Sequence, residues 1–293
     1  AEIIMINIDK FIKIRKSKKI SQNELSHGIC TQSTLSKFEN NGQVPSFKIL
    51  KQLCDRMGIE VGDIIRQSSD NPATKNMFEA EFAFITYDYN KIRDLLSSIH
   101  EQDLKHEQDR LHFDYLRGLY ALDGEKNDMT ALYYFNNILS NRDIADNNIY
   151  RLLALNGCSQ IYASENDMAK AHHYYDQILS YIKDIDIDDE LTALQVLAIL
   201  CDAGEFFGKQ KEYKKSNSLL RYAYSIASEK HTVYFLARIL FRWGLNDIEQ
   251  GKGPDKALQH LYDACAFARL NKNHVILTKA KKLIKELNQK NVD

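Results

Sequence analysis

The residues of this 293-residue chain best suited to recognition chemistry lie together near its start, in the run TQSTLSKFENN. Gln32, Ser33, Ser36 and Lys37 share the polar side of one short helical pattern, opposite Leu35 and Phe38. Each carries hydrogen-bonding groups that can reach base edges in a DNA major groove, where Gln pairs bidentately with adenine and Lys meets guanine O6 and N7. Nearby, the Thr31 hydroxyl, the Gln22 side chain and the amides at helix N-termini are placed to hold phosphates, with Asn40 and Asn41 to contact the backbone just after that helix. At any single position a polar helix facing solvent would look the same. The spacing of the surrounding elements is what favours double-stranded DNA as partner.

Those elements are short. Ile8, Phe11, Ile14 and Ile20 predict a first helix with a basic end, supplied by Lys10, Lys13, Arg15, Lys16, Lys18 and Lys19. Ser21 stands three residues before Glu24, the reciprocal arrangement that caps a helix start, so a second short helix is expected from Gln22 to about His27. Thr31 caps a third, NNGQVPS is a turn, and FKILKQLCDRMGIEVGDII supplies one or two closing helices. Two short helices across a tight turn, flanked by helices that cover their apolar faces, make a helix-turn-helix. Residues 1–66 hold eleven Lys/Arg against seven Asp/Glu, while the remainder holds 28 against 33, so the basic excess sits where an anionic partner would bind.

The run IRKSKKISQNELSHGICTQSTLSKFENNGQVPSFKILKQLCDRMGI resembles the DNA-binding domain of Cro and phage-repressor-type regulators. The matching landmarks are Arg15, Ser21-Gln22, Glu24-Leu25, Ser36, Glu39, Pro45-Ser46 and the region of Leu53. The turn departs from that pattern: it lacks the usual Gly before the third helix and is about one residue shorter, Ile29-Cys30 running straight into Thr31-Gln32. That variant is similar to the peptide-pheromone-responsive regulators of Gram-positive bacteria, the group of PlcR, Rgg and PrgX. The resemblance implies a structural Glu39, and its place beside Asn40 suggests a local cap or ion pair, not base reading.

RQSSDNPATKN is rich in turn formers, and Pro72 breaks any continuous helix there, so a linker is expected over 67–72 and a second domain over 73–293. Eleven amphipathic patterns follow, the first over about 73–87 and the last over 273–288. Small residues recur at Ala131, Ala171, Ser216 and Ala257, with bulky Phe135, Tyr175, Leu220 and Leu261 four positions later. Gly118, Ser159, Gly204 and Gly244 precede the small positions by 12 or 13 residues, where one helix must approach its neighbour closely. The pattern resembles degenerate tetratricopeptide repeats, which implies a right-handed stack of helix pairs, and the fold expected overall is all-α. The first helices of such pairs line a concave face suited to an extended peptide. Polar residues on them, Arg117, Asn156, Gln160, Arg238, Arg242 and Asn246, are the candidate contacts.

Composition excludes much else. Five scattered cysteines lack any CxxC spacing, so neither a disulfide framework nor a zinc site is expected, and a reducing cytoplasm fits. No uninterrupted run of about 18 apolar residues suggests a membrane span, and AEIIMINIDK is unlike a secretory signal. His172-His173 and the trio His100, His106 and His112 lack metal-binding spacing and read as solvated. The acidic run at 184–190 reads as a connector and helix cap, and Trp243 as core. With no nucleotide or nucleophile motif, no enzyme activity, cofactor or metal is expected. The reading is a cytoplasmic transcription regulator that binds double-stranded DNA as a homodimer, because one small helix-turn-helix reads few bases. The resemblance implies that a short signalling peptide, in quorum sensing, controls it. The alternatives are a repeat domain that binds a protein or only dimerises, and a hydrolase or adaptor that has kept a vestigial DNA-binding fold.

Overall fold

Amphipathic spacing becomes helix almost wherever the chain carries it. The computed structural model describes residues 5–6, 8–41, 44–66, 71–104, 106–187 and 189–290. The chain divides into two units, residues 1–79 with 97–105 and residues 80–96 with 106–293. Residues 67–70 of the expected linker lie outside the described residues. Pro72 is the first residue of a helix, where its missing N–H has no partner to lose.

The first unit holds α1 (Ile8–Ser17), α2 (Gln22–Ser26), α3 (Gln32–Asn41) and α4 (Phe47–Met57), then a 3-10 turn over Val61–Ile64. The cap at Ser21 forms as its spacing requires: the Ser21 hydroxyl accepts from Glu24 N at 3.2 Å, and the Glu24 carboxylate accepts from Ser21 N at 2.8 Å. Between α2 and α3 Gly28 takes φ +72°, a left-handed conformation that lets the chain reverse without a Cβ penalty. Thr31 Oγ1 then accepts from Thr34 N at 3.1 Å and opens α3. Arg56 of α4 reaches across to the Glu24, Leu25 and His27 carbonyls, satisfying the open end of α2. Phe11, Leu25, Leu35, Phe38, Leu53 and Met57 are all fully buried, and the rings of Phe11 and Phe38 meet edge to face at 4.9 Å. Two strands of two residues, β1 (Met5–Ile6) and β2 (Ile65–Arg66), pair antiparallel beside this helical core, too short to show a period in sequence.

Helix α5 (Pro72–Ile85) spans the division between the units, and α6 (Tyr89–Ser97) follows. The second unit continues with hairpins of α7 (Glu107–Asp123) and α8 (Asp128–Ser140), α9 (Ile149–Ser164) and α10 (Met168–Tyr181), α11 (Glu190–Lys209) and α12 (Tyr213–Glu229), and α13 (Leu236–Glu249) and α14 (Pro254–Leu270). Helix α15 (His274–Lys290) packs on α14. The recurrent small and bulky positions do what their spacing predicts. Phe135, Tyr175, Leu220 and Leu261 are buried, and a Cβ on Gly118, Gly204 or Gly244 would come within 2.5, 2.8 or 3.0 Å of Phe135, Leu220 or Leu261. Gly157 was not foreseen: a Cβ there would lie 2.3 Å from the Phe135 ring, so α9 also closes on that side chain. Asp189, in the acidic run, accepts from Thr192 N at 2.9 Å and caps α11. Helix α11 is long and apolar enough to cross a bilayer by length and composition alone, but 78% of the relevant window is buried within the protein.

His112 corrects the sequence reading. It is 4% exposed, not solvated; its Nε2 lies 3.0 Å from Glu81 Oε1, and its ring stacks on Tyr150 at 5.3 Å. A histidine ring is apolar enough to bury once its nitrogen has a partner, and that partner stands 31 residues away in sequence. Trp243 is only half-buried, stacked on His260 at 4.8 Å.

Asp114 on α7 is half-buried with no hydrogen bond or salt bridge among the described residues, and burial pushes its carboxyl up to about 6. A carboxyl raised on folding penalises the ionised form. That penalty is absent below the unfolded value of about 3.9 and complete above the folded one, so stability falls as pH rises through the window. Asp114→Asn is therefore expected to stabilise the chain at pH 7 by about 1 kcal/mol, after discounting for solvent screening, and to have little effect at pH 3. Thermal melts of both proteins at the two pH values check this; an equal gain at both would contradict it.

Candidate DNA-reading face and ligand cavity

The N-terminal unit presents α3 on a buried electrostatic anchor. Arg15 of α1 and Glu39 of α3 form a bidentate pair, Nε to Oε1 at 2.6 Å and NH2 to Oε2 at 2.7 Å, with side chains 10% and 3% exposed. Arg15 NH1 also donates to Ile20 O at 2.8 Å. Gln22 Nε2 donates to Glu39 Oε2 at 2.8 Å, which turns Gln22 Oε1 outward to accept from Gln32 Nε2, also at 2.8 Å. Four side chains thus run in series from the core to the exposed start of α3, and each amide orientation follows from the one before it.

Gln32, Ser33 and Lys37 are exposed along α3, and Lys37 has no polar partner among the described residues. Ser36 is half-buried and accepts from Asn40 Nδ2 at 3.0 Å. Thr31 is exposed at the cap of α3, and Gln22 is half-buried in the series just described. The Asn41 side chain lies outside the described residues. The structure therefore brings Gln22, Thr31, Gln32, Ser33, Ser36, Lys37 and Asn40 to one region of the unit. Sequence reasoning missed the anchor: Arg15 entered as part of a basic helix end and as a landmark, and Glu39 as a cap or ion-pair partner without its mate.

In the second unit a cavity of about 660 Å³ opens among the first helices of the hairpins. Asn156, Gln160 and Arg238 line it, and all three converge on Asp202 of α11. Asn156 Nδ2 and Gln160 Nε2 donate to Asp202 Oδ2 at 2.9 and 3.0 Å, and Arg238 NH2 donates to Oδ1 at 2.7 Å. Glu81 also lines the cavity, held by His112 and by Gln195 Nε2 at 2.7 Å. The other three candidates lie elsewhere. Arg117 sits over the Tyr134 ring at 5.4 Å. Arg242 and Asn246 are buried between helices, Arg242 Nε donating to Asn246 Oδ1 at 2.7 Å while Asn246 Nδ2 reaches Ser216 and Asn217. Their polarity serves packing: a network satisfied within itself needs no ligand. A second groove of about 890 Å³, between α14 and α15, is lined by Arg269, Lys281 and Lys285 and contains none of the candidates.

Residues 11–64 match the family model described as helix-turn-helix. The matched span runs from Phe11, within α1, through α2, α3 and α4 to the end of the 3-10 turn, so this helix-turn-helix places α3 as its second motif helix, with Gln32 and Lys37 on its exposed side. No curated protein matches the chain. Among solved structures it is similar to Bacillus thuringiensis PlcR in complex with the peptide PapR7 and DNA, with a TM-score of 0.64 and 16% identity over 96% of this chain and 99% of that one. It is also similar to the apo competence regulator ComR of Streptococcus vestibularis, with a TM-score of 0.57 and 13% identity over 96% and 97%. ComR of S. thermophilus, in complex with DNA and its signalling peptide ComS, aligns with a TM-score of 0.56 and 14% identity over 96% and 99%. These likenesses extend over both units and show a shared all-α fold, a helix-turn-helix followed by a helical-repeat domain. Among the described residues no group of three or more His, Cys, Asp or Glu is arranged to hold a metal ion.

Proposed function

We propose that this chain is a cytoplasmic, sequence-specific transcription regulator, a binding protein and not an enzyme. In this reading residues 1–66 bind double-stranded DNA, 67–72 link, and 73–293 form the sensor and dimerisation domain of a homodimer. The observation that carries the DNA half is the series Arg15–Glu39–Gln22–Gln32 within a matched helix-turn-helix, which orients an exposed glutamine at the start of the second motif helix. Gln32, Ser33, Ser36 and Lys37 are the proposed base-reading residues; Gln22, Thr31, Asn40 and Asn41 the proposed backbone contacts.

The peptide half is supported by the cavity. It is of a size that takes a short chain, its walls mixing aromatic and aliphatic side chains with polar and charged ones, three of which converge on Asp202. Of the structures that share the fold, that of PlcR holds DNA and the peptide PapR7, and that of S. thermophilus ComR holds DNA and its signalling peptide ComS. Asn156, Gln160 and Arg238 are the proposed contacts, and a peptide acts by preferring one arrangement of the dimer. Filter binding of the full chain to duplex DNA, with and without the small-peptide fraction of medium from a dense culture, tests the proposal. The expected result is salt-dependent binding whose affinity changes with that fraction. DNA binding indifferent to it favours a repeat domain that only dimerises or takes a protein; no DNA binding overturns the reading.

A further inference from the structure

The cavity of the second unit has a chemical bias. Its wall includes Phe84, Tyr87, Tyr115, Tyr234 and Phe235, whose ring faces are electron-rich. Its carboxylates are Glu81, Asp123 and Asp202, and its cations are Arg238 and the exposed Lys272. Arg238 is already committed, its NH2 held by Asp202 at 2.7 Å and by Glu205 at 3.4 Å. Glu81 is engaged by His112 and Gln195.

Two further acceptors bear on the choice of ligand. Asn156, which lines the cavity, is 5% exposed; its Nδ2 is spent on Asp202, and its Oδ1 is buried with no hydrogen-bond partner among the described residues. A buried carbonyl oxygen left this way is costly unless a donor arrives. Asp123 is half-buried and has neither hydrogen bond nor salt bridge among the described residues. It ends α7, where the helix carbonyls already carry partial negative charge, the less favourable end for a carboxylate. Burial pushes its carboxyl up, with Asp202 adding to this and Lys126 and Arg238 opposing it.

We propose that this cavity selects a positively charged peptide, with a ligand ammonium or guanidinium seated against Asp123 among the aromatic walls and a ligand N–H donated to Asn156 Oδ1. The assignment deepens the peptide reading above and rests on it. Aromatic faces, a committed arginine and two unsatisfied acceptors all favour a donor bearing positive charge and disfavour an acidic ligand.

An array of random hexapeptides, divided into cationic, neutral and anionic sets, is probed with the labelled full-length chain, and the strongest binders are measured by calorimetry. The cationic set is expected to be captured preferentially. Asp123→Asn should weaken the strongest cationic binders by about ten- to a hundred-fold, as expected for loss of a charge-assisted contact, while Asp123→Glu keeps the preference. Thermal melts of both variants establish that each is folded. An unchanged preference in folded Asp123→Asn overturns the assignment. Preferential capture of the anionic set also overturns it and leaves the peptide reading standing, whereas capture of no set removes both.

Discussion

Replacing Glu39 with alanine is expected to cost the N-terminal unit about 3–5 kcal/mol, because it strands a buried guanidinium. Arg15 is 8% exposed, and two of its hydrogen bonds end on Glu39; with that carboxylate gone, only the bond to Ile20 O remains. Gln22 loses the acceptor that orients it, and Gln32 loses the fixed neighbour that orients it in turn. The loss belongs to breaking the pair and is not the net worth of having one, so replacing both partners with leucine or methionine should recover most of it. Hydrogen exchange of the amides of residues 8–41 in the full chain reports this unit by itself. Protection should fall sharply in Glu39→Ala and return in the double apolar variant. A double variant as unprotected as the single would show that the pair does more than satisfy itself.

Removing the side chains of Gln32 and Lys37 together should abolish discrimination between DNA sequences while leaving the fold unchanged. Both are exposed on α3, and neither contributes to the core. A good bidentate base contact discriminates by about 1–3 kcal/mol, so each loss should relax one base position by about ten- to a hundred-fold. Non-specific affinity should fall less, since only Lys37 carries charge. The double apolar replacement of Arg15 and Glu39 offers a contrast: it restores stability without restoring the orientation of Gln32, so it should recover protection but not full discrimination.

Local chemistry was legible in the chain and distant partnership was not. Ser21 and Glu24 declare a helix start because the two groups that satisfy each other are three residues apart, and the structure forms that cap. The recurrence of Ala131 with Phe135, and of Ser216 with Leu220, reveals the hairpins for the same reason, since a helix turns such intervals into one face. Glu39 could be read as an ion-pair member, but its mate lies 24 residues away. The same distance effect hid the pairing of His112 with Glu81 and the hub at Asp202, whose partners are 36 to 46 residues off. Acidic residues on helices read as solvated by default, so Asp123 and Asp202 carry no signal in sequence, whereas Asn156, Gln160 and Arg238 stand out as polar residues on apolar helices and line the cavity. Conversely, Arg242 and Asn246 looked the same in sequence as cavity residues, because a polar side chain on an apolar helix serves a buried network or a ligand equally well. Two of the turns were concealed too: Lys126 and Lys211 take φ of +54° and +62° between the helices of successive hairpins, a conformation that Gly251 and, more weakly, Asn166 advertise at the equivalent positions.

Selection from a pool of random duplexes by the full-length chain asks whether α3 reads sequence in duplex DNA. The expected result is enrichment of a two-fold related site, its half-sites about one helical turn or a multiple apart, bound by the wild-type chain in preference to random duplex and not by Gln32→Ala/Lys37→Ala. A pool that remains random after selection, or an enriched site that the doubly substituted protein binds as well as wild type, would contradict it.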